Sequence, residues 1–325
     1  VSTSDQDSTP DKNKAADSIA DSFRTGQAAD DSATYCGHVA LVGRPNVGKS
    51  TLLNHVLRQK ISITSRKPQT TRHNLIGVDT QGPYQALYID TPGIHSNTEK
   101  ALNKYMVSNA KSAIDGVDVR VMVIESGRWQ AGDQYVADML RRGSGVRIAV
   151  LSKVDLLPNK ASLLPEMQRI SDLGLFEEIV PVSALKQDGI DALRSEVFKR
   201  LPESPHYFDD DQVTDQTERH LVEEIIREKL MRQLGDEIPH SAAVMVILFD
   251  AKPNVTEIHA EIYVEREGQK RIVIGNQGQR LKLVGQEARK DIERLIDRRV
   301  MLNLWVKVRK GWTNSAQLMR RLGYD

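Results

Sequence analysis

At 325 residues the chain is long enough for two domains with separate cores, and 39% hydrophobic with 27% charged side chains is the balance of an ordinary globular protein. No apolar run approaches the roughly 18–20 residues of a membrane span; the single cysteine, Cys36, excludes an intramolecular disulfide framework and fits a reducing compartment, and the eight histidines show no metal-ligand spacing. The net charge of +1 hides a division, because residues 270–321 carry fourteen Lys/Arg against four Asp/Glu while residues 1–34 carry three against seven.

Residues 1–35 are rich in Asp, Ser, Thr, Ala and Gln, with Ile19 and Phe23 the large apolar side chains before Tyr35. Such a segment buries too little surface to offset the entropy of ordering, so a disordered acidic tail is expected. It lacks the apolar core of a secretory signal, and its acidity argues against a mitochondrial transit peptide. Residues 36–203 then alternate short apolar runs with helical patterns. Strands are predicted at Val39 to Val42, Leu75 to Val78, Ala86 to Ile89, Val117 to Ile124, Val146 to Leu151 and Ile179 to Val182. Helices are predicted near Ser50 to Leu57, Ala101 to Ala113, Gln134 to Arg141, Ser162 to Ser171 and Ile190 to Arg200. Near-continuous Val/Ile runs separated by helices describe an α/β domain with a mostly parallel six-stranded sheet and one antiparallel edge strand, the second strand pairing with the third through Gly82 and Pro83.

The Pro- and Asp-rich residues 204–212 read as a linker. Residues 213–325 follow the order helix, strand, strand, helix, strand, helix, a smaller α+β domain. Its predicted elements are a helix at Thr214 to Leu234, strands at Val244 to Phe249, Thr256 to Val264 and Met301 to Val308, and a glycine turn with helix at Ile274 to Leu295.

Gly43-Arg44-Pro45-Asn46-Val47-Gly48-Lys49-Ser50 follows the first strand and opens the first helix. In that setting a Gly-x4-Gly-Lys-Ser sequence is a phosphate-binding loop: backbone N–H groups wrap the phosphates, the lysine neutralises the outer two, and the serine hydroxyl reaches a magnesium ion. Gly43, Asn46, Val47, Gly48, Lys49, Ser50 and Thr51 are the candidate nucleotide contacts here. Asp90-Thr91-Pro92-Gly93 ends the third strand, where Asp90 can hold Mg2+ through water and the Gly93 N–H can sense a γ-phosphate. Ser152-Lys153-Val154-Asp155 and Ser183-Ala184-Leu185 follow the fifth and sixth strands. Asp155 can accept both the N1 and N2 hydrogens of guanine, a pattern adenine does not offer, while the Lys153 stem covers the base; an adenine-binding enzyme is the alternative.

In this order the motifs resemble the small GTPases of the translation-factor class, binding GTP or GDP. Gln69-Thr70-Thr71-Arg72-His73 is similar to the first switch of that class, and by analogy Thr71 rather than Thr70 would join Ser50 and Asp90 as a magnesium ligand. The resemblance implies Lys49, Thr71, Gly93 and Asn46 as the catalytic set, Asn46 as a partial ligand of an activating K+. Two departures stand out. Ser152 replaces the usual Asn or Thr, so weaker contacts to the phosphate loop are expected. Ile94 occupies the position of a water-orienting glutamine, so slow intrinsic hydrolysis is expected.

In the second domain, Ile272-Val273-Ile274-Gly275-Asn276-Gln277-Gly278 places a Gly-x-x-Gly turn between an apolar strand or helix edge and a helix. That helix stripes Leu281, Val284, Ala288, Ile292 and Leu295 on one side. The turn and the basic segment around it resemble a KH domain, whose Gly-x-x-Gly loop clamps a sugar-phosphate backbone. Ile274, Gly275, Asn276, Gln277, Gly278, Arg280, Lys282, Arg289 and Lys290 are the candidate RNA-binding residues. Trp305 and Trp312 read as core or domain-docking residues. With Glu-Ala-Arg-Lys-Asp-Ile (287–292) and Leu-Trp-Val-Lys-Val (304–308), the chain from 38 to 324 looks like an Era-type GTPase with a type II KH domain. That resemblance implies a cytoplasmic monomer with peripheral inner-membrane contact, binding the 3′ end of small-subunit ribosomal RNA during small-subunit assembly. Gln277 departs from the family's usual lysine. Two other readings remain open from sequence: an assembly chaperone that barely hydrolyses GTP, and a membrane-linked signalling GTPase.

Overall fold

A computed structural model describes residues 33–65, 67, 70–94, 101–143, 145–234 and 242–321. The expected acidic tail lies outside the described residues except for its last three, as does Gln69 of the switch sequence. Among the described residues, β1 (Tyr35–Val42), β2 (Leu75–Gln81), β3 (Tyr84–Asp90), β4 (Val119–Glu125), β5 (Val146–Ser152) and β6 (Glu178–Val182) form one sheet in the order β2-β3-β1-β4-β5-β6. Only β2 runs antiparallel to its neighbour. The period of two along each strand sorts the core into two layers. Val39, Leu41, Val121, Val123 and Ile148 face α1 (Lys49–Val56) and α5 (Ile190–Phe198). Ala40, Val42, Met122, Ile124 and Ala149 face α2 (Ala101–Ser112), α3 (Ala131–Arg141) and α4 (Leu163–Ser171). Every residue of β4 is buried, as a central strand with helices on both sides requires.

The residues read as a linker are tied down along the sheet edge. Gln85 Oε1 accepts from the N–H groups of Tyr207 and Phe208 at 2.8 and 3.1 Å, and the Val78 N–H donates to the Val213 carbonyl at 2.9 Å. This strap covers β2, which would otherwise present unpaired backbone groups.

The second sheet has the order β7-β8-β9, made of β7 (Ala243–Ala251), β8 (Thr256–Val264) and β9 (Val300–Val308). The first pair is antiparallel and the second parallel. Helix α6 (Glu218–Gln233) precedes it, and a crossover of α7 (Glu267–Ile274), the glycine turn and α8 (Gln279–Ile296) joins β8 to β9. A final helix, α9 (Ala316–Arg321), follows. Helix α7 decides between strand and helix edge at Ile272 to Ile274, which the sequence leaves open. The β-branched run favours a strand, but Gln269 Oε1 caps the Glu265 and Arg266 N–H groups and the helix buries Val273 fully in the core of the second domain.

Two further features depart from expectation. Three consecutive charged residues of α6, Arg227, Glu228 and Lys229, are 2%, 0% and 5% exposed, because this helix is covered by the first domain as well as its own. The two tryptophans also part company. Trp312 is fully buried against Leu102 and Met106 of α2, as a docking residue should be, whereas Trp305 stands 44% exposed on the helix-free face of the sheet, edge-on to His259.

Candidate functional site

Strand β1 delivers the chain at Gly43 and α1 carries it away from Lys49, so residues 43–50 wrap the N-terminus of a helix whose first N–H groups have no partners within it. The Lys49 side chain is buried and donates to the carbonyls of Gly43 and Arg44, at 3.1 Å each. Burial lowers its pKa to about 8 against the opposing pull of Asp90. A buried ammonium held only by neutral carbonyls gains strongly from phosphate oxygens. Arg44 braces the loop from outside through Asp133 (2.9 Å) and Glu125 (3.4 Å), and Glu125 also takes Lys153 (3.1 Å). Glu125 and Asp133 belong to no motif; their only signal in the sequence is a charge directly at the end of β4 and in the first turn of α3.

The expected metal ligands converge. Asp90 Oδ2 accepts from Ser50 Oγ at 2.6 Å, from Ser62 Oγ at 2.8 Å and from Thr71 Oγ1 at 3.3 Å, and the two hydroxyls of Ser50 and Thr71 lie 2.9 Å apart. Burial raises the Asp90 pKa, with the hydroxyls and Lys49 working the other way, and its second oxygen, Oδ1, is buried without a hydrogen-bond partner. An unsatisfied carboxylate oxygen beside two hydroxyls is a hard-oxygen donor set that fits magnesium. Ser62 is the member of this group that sequence reading missed. Gly93 passes so close to the loop that a Cβ there would lie 2.7 Å from Pro45 Cα, and the next N–H, of Ile94, donates to the Gly43 carbonyl at 3.2 Å. The Ile94 side chain is fully buried in the core and points no polar group at the loop.

On the base side, Ser183 Oγ donates to Asp155 Oδ1 at 2.5 Å, which fixes the carboxylate between the β5 and β6 loops. Lys153 adopts φ 57° and reaches the Asn46 carbonyl at 2.7 Å, with its stem beside Gly48. Ser152, expected to make weaker contacts than the usual Asn or Thr, still reaches the phosphate loop: its hydroxyl lies 2.7 Å from the Val47 carbonyl and 3.0 Å from that of Ile124. Thr51 faces the adjoining cleft beside Leu185, which is 77% exposed. Asn46 is exposed at the loop tip with φ 65°.

In the second domain the turn between α7 and α8 is built as its glycines require. Gly275 has φ 75°, and a Cβ there would lie 2.7 Å from Arg280 Cβ. Asn276 and Gln277 are exposed at its tip, while Arg280 folds back to the Ile272 carbonyl at 2.5 Å. Ile274, Gly278 and Lys282 flank it. Arg289 and Lys290 do not join this group: they lie about 15 Å further along α8 at 1.5 Å per residue, and Arg289 pairs with Glu293 at 3.2 Å.

Comparison with known proteins agrees with both halves. Residues 38–153 match a family model described as 50S ribosome-binding GTPase, and residues 237–313 match a KH domain. GTPase Era from Pseudomonas entomophila (strain L48) is 49% identical over 295 residues, covering 91% of this chain and 98% of its own length. The GTPase Era of Pseudomonas aeruginosa (strain LESB58) is 50% identical over 289 residues, covering 89% and 95%. Two solved structures superpose with a TM-score of 0.86 at 38% identity, over 90% of this chain and 99% of theirs. One is Era in complex with MgGDPNP and nucleotides 1506–1542 of 16S ribosomal RNA, the other a variant of Aquifex aeolicus Era bound to GDP·AlF4−.

Proposed function

The chain belongs to the Era family of GTPases, and we propose that it is a GTP-driven switch that binds the 3′ region of small-subunit ribosomal RNA and assists assembly of that subunit. The observation that carries the proposal is that one chain joins a complete guanine-nucleotide site to an exposed Gly-x-x-Gly turn, with hydrogen bonds running directly from the switch segment into the second domain. The description of the matching GTPase model names the large subunit, but that model stops at residue 153. The KH-like half and the relative's 16S complex favour the small one.

The geometry supports the following residue roles. Lys49 and the loop N–H groups of Gly43 to Ser50 hold the phosphates, and Ser50, Thr71 and Asp90 hold magnesium. That ion supplies charge neutralisation on the β- and γ-phosphates. Gly93 reports the γ-phosphate to the turn that Ile94 anchors in the core. Asp155, set by Ser183, selects guanine, while Ser152 and Lys153 fix the base loop to the phosphate loop. The apolar burial of Ile94 leaves water placement without a side chain at that position, which supports slow unaided hydrolysis and an accessory K+ beside Asn46. In the second domain, Gly275 to Gly278 with Arg280 and Lys282 take the RNA backbone. We further propose that the protein acts as a monomer with peripheral membrane contact through its basic second domain; among the described residues no helix is long and apolar enough to cross a membrane.

The test is RNA binding with and without a non-hydrolysable GTP analogue, using a 3′-terminal small-subunit oligonucleotide and a scrambled control. Tighter, sequence-selective binding with the analogue is expected, lost in Lys49→Ala. Equal affinity for both RNAs in both nucleotide states refutes the switch, and preference for anionic vesicles over RNA favours the membrane reading.

A further inference from the structure

Thr71 stands between two residues that are each fastened to the second domain. The carbonyl of Thr70 accepts from Arg227 Nη2 at 2.5 Å, and Glu224 grips the same guanidinium at 2.7 Å on Nε and 2.5 Å on Nη2. On the other side, Arg72 Nη1 donates to the Ala242 carbonyl at 2.9 Å and its guanidinium lies 6.0 Å from the centre of the Trp312 ring. Upstream, the Thr64 N–H donates to Glu228 Oε1 at 3.0 Å and the Lys67 ammonium to the Leu234 carbonyl. Ile61 and Ser62 are held inside the first domain by Asn54, whereas Thr64, Lys67, Thr70 and Arg72 each make a bond to α6 or to the residues beside it.

We infer that Arg227 is a positioning residue for GTP hydrolysis, through which the second domain holds Thr71 at the Ser50 and Asp90 oxygens. The inference rests on the proposed magnesium role of Thr71. Its physical basis is that Arg227 is 2% exposed and clamped by Glu224, so the bond to Thr70 loses little to water or to side-chain motion. Against the upward push of burial, the Arg227 charge holds the Glu224 pKa down to about 2, so the clamp stays ionised at any working pH. Because coupling between sites is reciprocal, whatever docking of α6 contributes to the GTP-bound placement of Thr71, GTP returns to the docking of α6. GDP lacks the γ-phosphate and makes no such demand.

The full-length chain is measured as wild type, Arg227→Ala, Arg227→Lys, Glu224→Gln and Thr71→Ala. The readouts are single-turnover hydrolysis, affinity for fluorescent GDP and for a fluorescent non-hydrolysable GTP analogue, and amide exchange over residues 61–74. Arg227→Ala is expected to weaken analogue binding and slow hydrolysis about tenfold each, the loss of one charged hydrogen bond, while GDP affinity stays within about twofold. Exchange over 61–74 rises with analogue bound, and that of residues 43–50 does not. Arg227→Lys recovers part of each effect, and Glu224→Gln, which keeps the arginine, falls between. Equal losses for GDP and analogue, or unchanged exchange over 61–74, reduce Arg227 to a structural residue and overturn the inference. If Thr71→Ala loses discrimination between the nucleotides while Arg227→Ala and Glu224→Gln both keep it, the inference fails alone. If Thr71→Ala also keeps it, the magnesium reading of Thr71 falls and takes the inference with it.

Discussion

Gly93→Ala is the smallest change that separates GTP from GDP at this site. A methyl group there lies 2.7 Å from Pro45 Cα and 2.8 Å from Pro45 N, where ordinary contact begins at 3.4 Å, so backbone must move by about 0.7 Å. The obstacle is the phosphate loop itself, not the end of a flexible side chain. The turn has little room to yield in the other direction, since the next residue, Ile94, is fully buried and its N–H is bonded to the Gly43 carbonyl. Overpacking of this kind costs about 1–3 kcal/mol, which is about 5- to 150-fold in an equilibrium constant. GDP has no γ-phosphate and does not require this close approach, so the turn can give up the single Ile94 N–H bond and most of the cost is avoided. With a γ-phosphate the turn and the loop are needed together and the cost is met in full. Isothermal titration with GDP and with a non-hydrolysable GTP analogue is expected to show GDP affinity nearly unchanged and analogue affinity lower by a factor in that range. A Gly93→Ala variant that binds both as the wild type does would show that the close approach of Gly93 to Pro45 is not the means by which the γ-phosphate is sensed.

Asp155→Asn exchanges one accepting oxygen for a donor, so the side chain can no longer take both guanine hydrogens; GTP affinity is expected to fall about 10- to 100-fold while xanthosine triphosphate gains. Unchanged GTP affinity, in the same titration, would remove Asp155 from base selection. The second concerns acid. Burial among Tyr105, His220 and their neighbours lowers the His73 pKa to about 4, while an unfolded histidine titrates near about 6.5. Between those values the unfolded chain binds the extra proton, so the contribution of His73 is fully present above about pH 6.5 and is lost as pH falls towards 4. Burial pulls His220 the same way, but Glu223 and Glu224 outweigh it and raise its pKa, so it is already charged in that window and does not compensate. Melting temperature from pH 7 to 4.5 should therefore fall more steeply in wild type than in His73→Gln, and parallel slopes would contradict this. Finally, Gln277→Lys adds a cation at the exposed tip of the glycine turn and is expected to steepen the salt dependence of RNA binding by about one unit in the log–log slope; an unaltered slope would place the tip away from the RNA backbone.

The first domain was legible because its motifs and its elements coincide. The Val/Ile runs predicted strands whose ends the structure shifts by at most a few residues, and the phosphate loop, Asp90, Ser152 and Ser183 fall where strands end. Period two along β1 sorts Val39 and Leu41 from Ala40 and Val42 without reference to anything distant. What could not be read depends on residues far apart in sequence. Ser62 reaches Asp90 across 28 positions, and nothing local marks it. Helix α7 was hidden because a β-branched run is locally strand-like, and the cap that settles the matter is one glutamine side chain. Arg289 and Lys290 share a basic segment with the glycine turn, yet distance along α8 separates them from it.

The charges of α6 show most clearly why local pattern reading stops at the domain boundary. In sequence, Arg227-Glu228-Lys229 between Ile226 and Leu230 looks like the solvated side of an amphipathic helix. In the fold, Arg227 meets Thr70, Glu228 meets Lys60 and Thr64, and Lys229 meets Asp291, so consecutive side chains serve different partners and all three are buried. Burying charges in this way adds little net stability compared with an apolar packing, since desolvation offsets most of the attraction. Its effect is geometric. An apolar seam could slide or re-register at small cost, whereas a guanidinium committed to one carbonyl and one carboxylate holds the first switch in a single place. A seam of charges therefore makes a joint that is definite in register rather than strong, because water competes for the same groups.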